Sequence, residues 1–277
     1  MGNALIVFTP RSGSTIVAEL LAYKYGAVNL DELMMSDIRG VIERKLPNDV
    51  RDLINKNKGL SRATELYKSN TSKGLEKIYE YNCKRLELVK QINQTHPIVL
   101  KTYPSIPLPG ITTIEWAVEK NFNIFFLQRR NVINQLYSYF LANTKEEFYK
   151  NAKKAGKLEI EKYAGFLNTK STPRVVFPQV HLEKNRIIEL VAVFNGFVSM
   201  HQCLLEKYKK YGKQVYYEDT IVRNNFSPFG ITQNIVDEYV KHPLAIQSTY
   251  EYTVGSQFLN WDEVVNIFKE FSLVSYE

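Results

Sequence analysis

At 277 residues, 44% hydrophobic and 23% charged, the chain has the make-up of a globular protein with a sizeable core, which excludes a low-complexity or disordered chain. No apolar run reaches the roughly 18–20 residues of a membrane span, and no basic leader precedes the first apolar run, so no membrane span is expected and the expected location is cytoplasmic. A net charge of +7 and a pI near 9.1 suit an anionic ligand. The lysines, however, stand among acids in stretches such as 145–163, a solvated helix face, and no aromatic-basic interleaving points to nucleic acid.

Residues 4–8, ALIVF, form the first predicted strand. Such a continuous apolar run suits a strand covered on both faces of a parallel sheet. It stops at Thr9-Pro10 and gives way to Arg11, Ser12, Gly13, Ser14 and Thr15. A helix is predicted from near Ser14 or Thr15, with Ile16, Val17, Leu20 and Leu21 on its apolar face. The N–H groups at such a helix start form an anion cradle, Gly13 allows close approach, and the hydroxyls and the Arg11 guanidinium add donors. The loop is not a Walker A sequence, since the first glycine and the lysine of that motif are missing. The plain alternative is a Ser/Thr-capped helix that holds no ligand.

The stretch 33–95 is polar, rich in Lys and Asn, and reads as helical with a break at SNTSKG. Strands follow at 97–103 (PIVLKTY) and 123–129 (NIFFLQR). Asn131 is a natural N-cap for a helix that carries Ile133, Leu136, Tyr137 and Phe140 on one face. Asn131, Gln135 and Ser138 form a polar stripe next to Arg129 and Arg130. An arginine at a strand's end and a hydroxyl two turns along a helix can close on one phosphate. Residues 143–212 read as helical with an interruption at 167–179, a last strand falls at 213–219, and 223–234 is a loop. Strands separated by long helices predict an α/β fold with a central, mainly parallel sheet and helices on both faces. One domain over 1–277 is expected, with helical insertions at about 33–95 and 143–212. Cys83 and Cys203 form no C-x-x-C pair and are expected to be buried or half-buried thiols.

Two of these motifs resemble the PAPS-dependent sulfotransferase superfamily. TPRSGST after the first strand is similar to its 5′-phosphosulfate loop, P-[KR]-[SCA]-G-[ST]-[ST]. RRNVINQLYS is similar to its 3′-phosphate motif, a strand ending in Arg followed at a fixed spacing by Ser, particularly as found in bacterial sugar-type members. Val132 stands where many members have proline. VYYEDTI (215–221) resembles the Tyr-Glu-Asp that ends a late strand in many members, and FLNWDEV (258–264) an Asn/Trp segment near their C-terminus. The resemblance covers strand elements from about residue 4 to 264 and leaves the two insertions unmatched.

The resemblance implies a P-loop-like three-layer fold and an enzyme that moves a sulfuryl group from 3′-phosphoadenosine 5′-phosphosulfate (PAPS), its co-substrate, to a hydroxyl or amine. It implies co-substrate contacts from Arg11, Ser12, Gly13, Ser14 and Thr15 at the 5′ end, and from Arg130 and Ser138 at the 3′-phosphate. No metal is expected; His96, His181, His201 and His242 lack ligand spacing and read as core or surface residues. Arg11 stands where cytosolic members carry lysine. It keeps the charge but is hard to deprotonate, which implies electrostatic stabilisation of the leaving oxygen. Tyr103 replaces the histidine base of cytosolic members, and an unperturbed tyrosine, with a pKa of about 10, is a poor base near neutrality.

By similarity to tyrosylprotein sulfotransferases, the base falls on Glu32, with Asp31 beside it. Paired carboxylates raise one pKa toward neutrality; the alternative is an acid pair with no catalytic role. Lys101, at the end of the second predicted strand, would orient the sulfonate or the acceptor. The expected acceptor is a small molecule or carbohydrate, but sugar, lipid, small alcohol and peptide all stay open, and the sequence does not specify an oligomeric state. A P-loop nucleotide kinase or hydrolase and an inactive nucleotide-binding relative are the alternative readings.

Overall fold

A computed structural model of the chain describes residues 2–31, 33, 46–57, 72–102, 109–154, 179–241 and 255–271. They fall into two compact units: Met1–Gln128 with Met200–Val236, and Arg129–Ser199 with Asp237–Glu277.

The first unit is built on five parallel strands, β1 (Ala4–Phe8), β2 (Val28–Asp31), β3 (Ile98–Thr102), β4 (Asn123–Gln128) and β5 (Gly212–Tyr216), in the order β2-β3-β1-β4-β5. Helices α1 (Ser14–Tyr25), α2 (Asn48–Lys56), α3 (Ser72–Thr95) and α4 (Pro109–Glu119) lie in the crossovers. The expected three-layer α/β fold is therefore present, with a sheet that is parallel throughout. β1 is central and wholly buried, which explains its uninterrupted apolar sequence. Side chains alternate across the sheet. Leu5, Val7, Leu100 and Phe126 join one core with α2, α3 and α4, while Lys101, paired in register with Ile6, stands on the opposite face. The pairs Val7↔Thr102 and Phe8↔Leu127 set the carboxyl ends of β3, β1 and β4 level.

Several boundaries differ from expectation. β2 is an additional strand; its four residues, VNLD, hold two poor strand formers and owe their conformation to pairing with β3. α3 begins inside the expected SNTSKG break. The last strand was expected to reach Asp219 but ends at Tyr216. The Thr220 hydroxyl donates back to the Tyr216 carbonyl at 2.9 Å, and the chain makes one turn of π-helix over Glu218–Val222. Cys83 and Cys203 are exposed free thiols, not buried or half-buried ones. Helix phase decides this: α3 turns Leu86 and Val89 inward, and α6 (Lys184–Tyr208) turns His201, Leu204 and Leu205 inward.

The second unit contains α5 (Val132–Lys154), the first part of α6, and α8 (Trp261–Phe271); α7 (Gln233–Lys241) precedes α8. Its core is aromatic, with Phe258 stacked on Trp261 at 5.8 Å and Tyr137 edge-on to both rings. Asn260 accepts from the Leu182 N–H at 3.0 Å and donates to its carbonyl at 2.9 Å, so the FLNWDEV motif has a structural task here. Residues Lys184–Tyr211 include an 18-residue window of mean hydropathy 1.4, long and apolar enough to cross a membrane by length and composition alone. Of that window 39% is buried, and Ile187, Leu190, Val191 and Phe194 pack in the second unit's core.

Candidate anion-binding site

The candidate site starts where β1 ends. The Ser12 N–H donates to the Thr9 carbonyl at 3.2 Å, and φ is positive at Arg11 (64°) and Gly13 (79°) but not at Ser12 between them. Positive φ on either side of Ser12 turns the chain sharply between β1 and the next helix. Helix α1 then begins at Ser14 with Gly13 as its N-cap and no side-chain capping bond. The plain alternative, a Ser/Thr-capped helix, is not what forms: the first N–H groups of α1 are left for something else to satisfy. Ser12 is 0% exposed, and its Oγ has no hydrogen-bond partner. An unpaired buried hydroxyl costs about 1–3 kcal/mol, a deficit that an oxygen-rich ligand in the loop removes.

Gly13 is required twice over. Its φ lies in the left-handed region, and a Cβ there would sit 2.2 Å from Ile221 Cδ1 and 3.0 Å from the Tyr217 ring. The Ile221 methyl can swing away, so the backbone sets most of the cost. Gly13→Ala is expected to destabilise the protein by about 2 kcal/mol in urea unfolding, from about 1–2 kcal/mol of left-handed strain plus the displaced methyl. Adding Ile221→Val should recover only the smaller part. An alanine variant as stable as the parent would rule out this loop conformation.

Lys101 reaches the same loop from β3. Its ammonium, on a side chain 1% exposed, lies 3.0 Å from Thr15 Oγ1, 2.5 Å from Asp31 Oδ1 and 5.2 Å from the centre of the Phe8 ring. The ion pair and the hydroxyl compensate a cation otherwise costly to bury. The structure thus joins Thr15 and Lys101, both foreseen, to Asp31, which was foreseen only as a neighbour of the base. Glu32 and Tyr103 lie outside the described residues.

Arg129 and Arg130 follow β4 directly, and Arg130 is exposed. The Asn131 Oδ1 accepts from the Asn134 N–H at 2.9 Å, so Asn131 caps α5 as its sequence position indicates. Gln135 is buried and Ser138 half-buried. Arg130 and Ser138 belong to the second unit, whereas the loop, Lys101 and Asp31 belong to the first. No protein-family model matches the chain, and searches of curated proteins and of solved structures find no significant match either.

Proposed function

We propose that the chain is a PAPS-dependent sulfotransferase acting on a hydroxyl or amine of a small-molecule or carbohydrate acceptor. The observation that carries this reading is the loop: an uncapped helix start and a buried, unpartnered Ser12 hydroxyl, at the carboxyl end of the central strand of a parallel sheet. In open parallel sheets, ligands bind beyond the carboxyl ends of the strands, where the strand order changes direction. Loop N–H groups and the hydroxyls of Ser12, Ser14 and Thr15 suit a tetrahedral oxyanion. Arg11 and Lys101 supply positive charge. The resemblance of TPRSGST narrows that anion to a phosphosulfate, and the resemblance of RRNVINQLYS alone assigns the 3′-phosphate to Arg130 and Ser138.

In this reading the acceptor oxygen attacks sulfur as the bond from sulfur to the 5′-phosphate oxygen breaks. Charge builds on the departing phosphate, and fixed donors aimed at it lower the barrier. Arg11 serves that oxygen, and Glu32 takes the acceptor proton. The test is calorimetric binding of adenosine 3′,5′-bisphosphate, followed by transfer from radiolabelled PAPS to sugars, phenols and amines. The bisphosphate should bind about tenfold or more tighter than adenosine 5′-monophosphate, the effect of one further phosphate on an arginine. Equal affinities would remove Arg130 and Ser138 from the site. Magnesium-dependent ATP turnover without sulfuryl transfer would replace the reading with a kinase or hydrolase. An active Glu32→Gln enzyme of unchanged rate would remove Glu32 as the base.

A further inference from the structure

We infer that the Lys101 ammonium, clamped between Asp31 and Thr15, is a built-in cation in the place where phosphate-binding loops otherwise hold a divalent metal ion, with Asp31 and Thr15 as its positioning residues. This deepens the sulfotransferase reading and rests on it for the identity of the nucleotide. In P-loop nucleotide hydrolases the metal ion is held by the loop's Ser or Thr hydroxyl and by a separate aspartate. The same two kinds of ligand, Thr15 Oγ1 at 3.0 Å and Asp31 Oδ1 at 2.5 Å, here hold Nζ of Lys101. Thr15 also ends Gly13-Ser14-Thr15, the counterpart of Gly-Lys-[Ser/Thr] in the Walker loop. A second cation, beside Arg11 of the loop, therefore arrives from β3.

Asp31 is placed with care. The β2–β3 register slips between Asn29, opposite Val99, and Asp31, opposite Leu100, which leaves Leu30 as an extra residue in β2. Asp31 itself is left-handed, with φ of 48°. Its N–H donates to Asn29 Oδ1 at 2.9 Å, and Asn29 Nδ2 donates to Glu19 Oε1 on α1 at 2.8 Å. Bulges re-aim side chains beside functional sites, and a left-handed non-glycine persists where its surroundings over-determine it. The bulge, the turn and the brace all bear on Asp31, whose carboxylate meets Nζ.

Donor chemistry then sets the direction of the Thr15 hydroxyl. An ammonium only donates, so Thr15 Oγ1 accepts from Lys101, and its own hydrogen is available to an anion oxygen in the loop. A metal ion bound to Oγ1 imposes the same polarity.

Calorimetry of the full chain with adenosine 3′,5′-bisphosphate, and separately with inorganic sulfate, in excess EDTA and in excess Mg²⁺, tests this. Wild-type affinities should agree between the two buffers within about twofold, whereas Lys101→Met/Asp31→Asn should weaken both ligands about tenfold to a hundredfold, as expected for a lost charged hydrogen bond. Wild-type binding that Mg²⁺ tightens about tenfold or more, or a neutral pair that binds like wild type, overturns the inference. Electron paramagnetic resonance needs no variant. Mn²⁺ added to wild type with the bisphosphate should keep its full free-ion signal, and stoichiometric capture of Mn²⁺ overturns the inference even where the neutral pair does not fold. Sulfate binding that depends on Lys101, with the bisphosphate no tighter than sulfate, leaves the inference standing and removes the sulfotransferase reading. Bisphosphate binding indifferent to the neutral pair does the reverse, and binding of neither ligand overturns both.

Discussion

On the proposed function, Arg11→Gly is expected to lower sulfuryl transfer about 10²–10³-fold, the effect of removing one donor from a developing oxyanion, while the backbone contribution to folding stability changes by less than about 1 kcal/mol. The two expectations come from different parts of the residue. The Arg11 backbone has φ of 64°, where an L side chain costs about 1–2 kcal/mol. Glycine lifts that strain and gives back about 0.5–1 kcal/mol through the greater freedom of the unfolded chain, so the terms nearly cancel. The guanidinium has no substitute in glycine. In the proposed function, an arginine held against its backbone preference beside the loop would be strain kept for catalysis. Arg11→Lys should fall between the two, because it keeps the charge and loses the planar fork. Urea unfolding and transfer rates on the same preparations decide the matter. Unchanged transfer would take Arg11 away from the leaving oxygen, and a stability loss above about 2 kcal/mol would make it a structural residue.

The parts of this site written in local sequence were legible; those created by strand pairing were not. ALIVF at 4–8 matches β1 because a strand buried on both faces needs an uninterrupted apolar run. The helix start at Ser14 and the Asn131 cap are also local signals. β2 was missed because Val28–Asp31 becomes a strand only by pairing with β3. Lys101 was correctly placed at a strand end, but its partner was hidden: the bulge at Leu30 and the left-handed turn at Asp31 bring that carboxylate to Nζ, and no periodicity encodes either. The exposure of Cys83 and Cys203 shows a related limit. Cysteine is commonly buried, but in α3 and α6 the helix phase set by larger apolar residues overrides that preference.

Lowering the pH from about 6.5 to about 4 is expected to remove roughly 3 kcal/mol of stability through His201 alone. His201 is 1% exposed; its Nε2 donates to the Val7 carbonyl at 3.3 Å, and its ring lies edge-on to Phe126. Burial pushes the imidazole down from 6.5 to about 4, and the bond to the Val7 carbonyl opposes the shift only in part. Between those two values the unfolded chain binds a proton that the folded chain refuses. Stability therefore rises with pH across the window, is complete above about 6.5, and has lost this whole contribution below about 4. Because Val7 lies in β1 next to Phe8, charging His201 acts on the strand that leads into the loop at Thr9–Thr15. Urea unfolding at a series of pH values, for wild type and His201→Gln, isolates the effect: glutamine keeps a donor for the Val7 carbonyl and does not titrate. The stability difference between the two proteins should shift steadily in favour of wild type as pH rises from about 4 to 6.5 and then level off. A difference that stays flat over that range would show that His201 is not held neutral by burial.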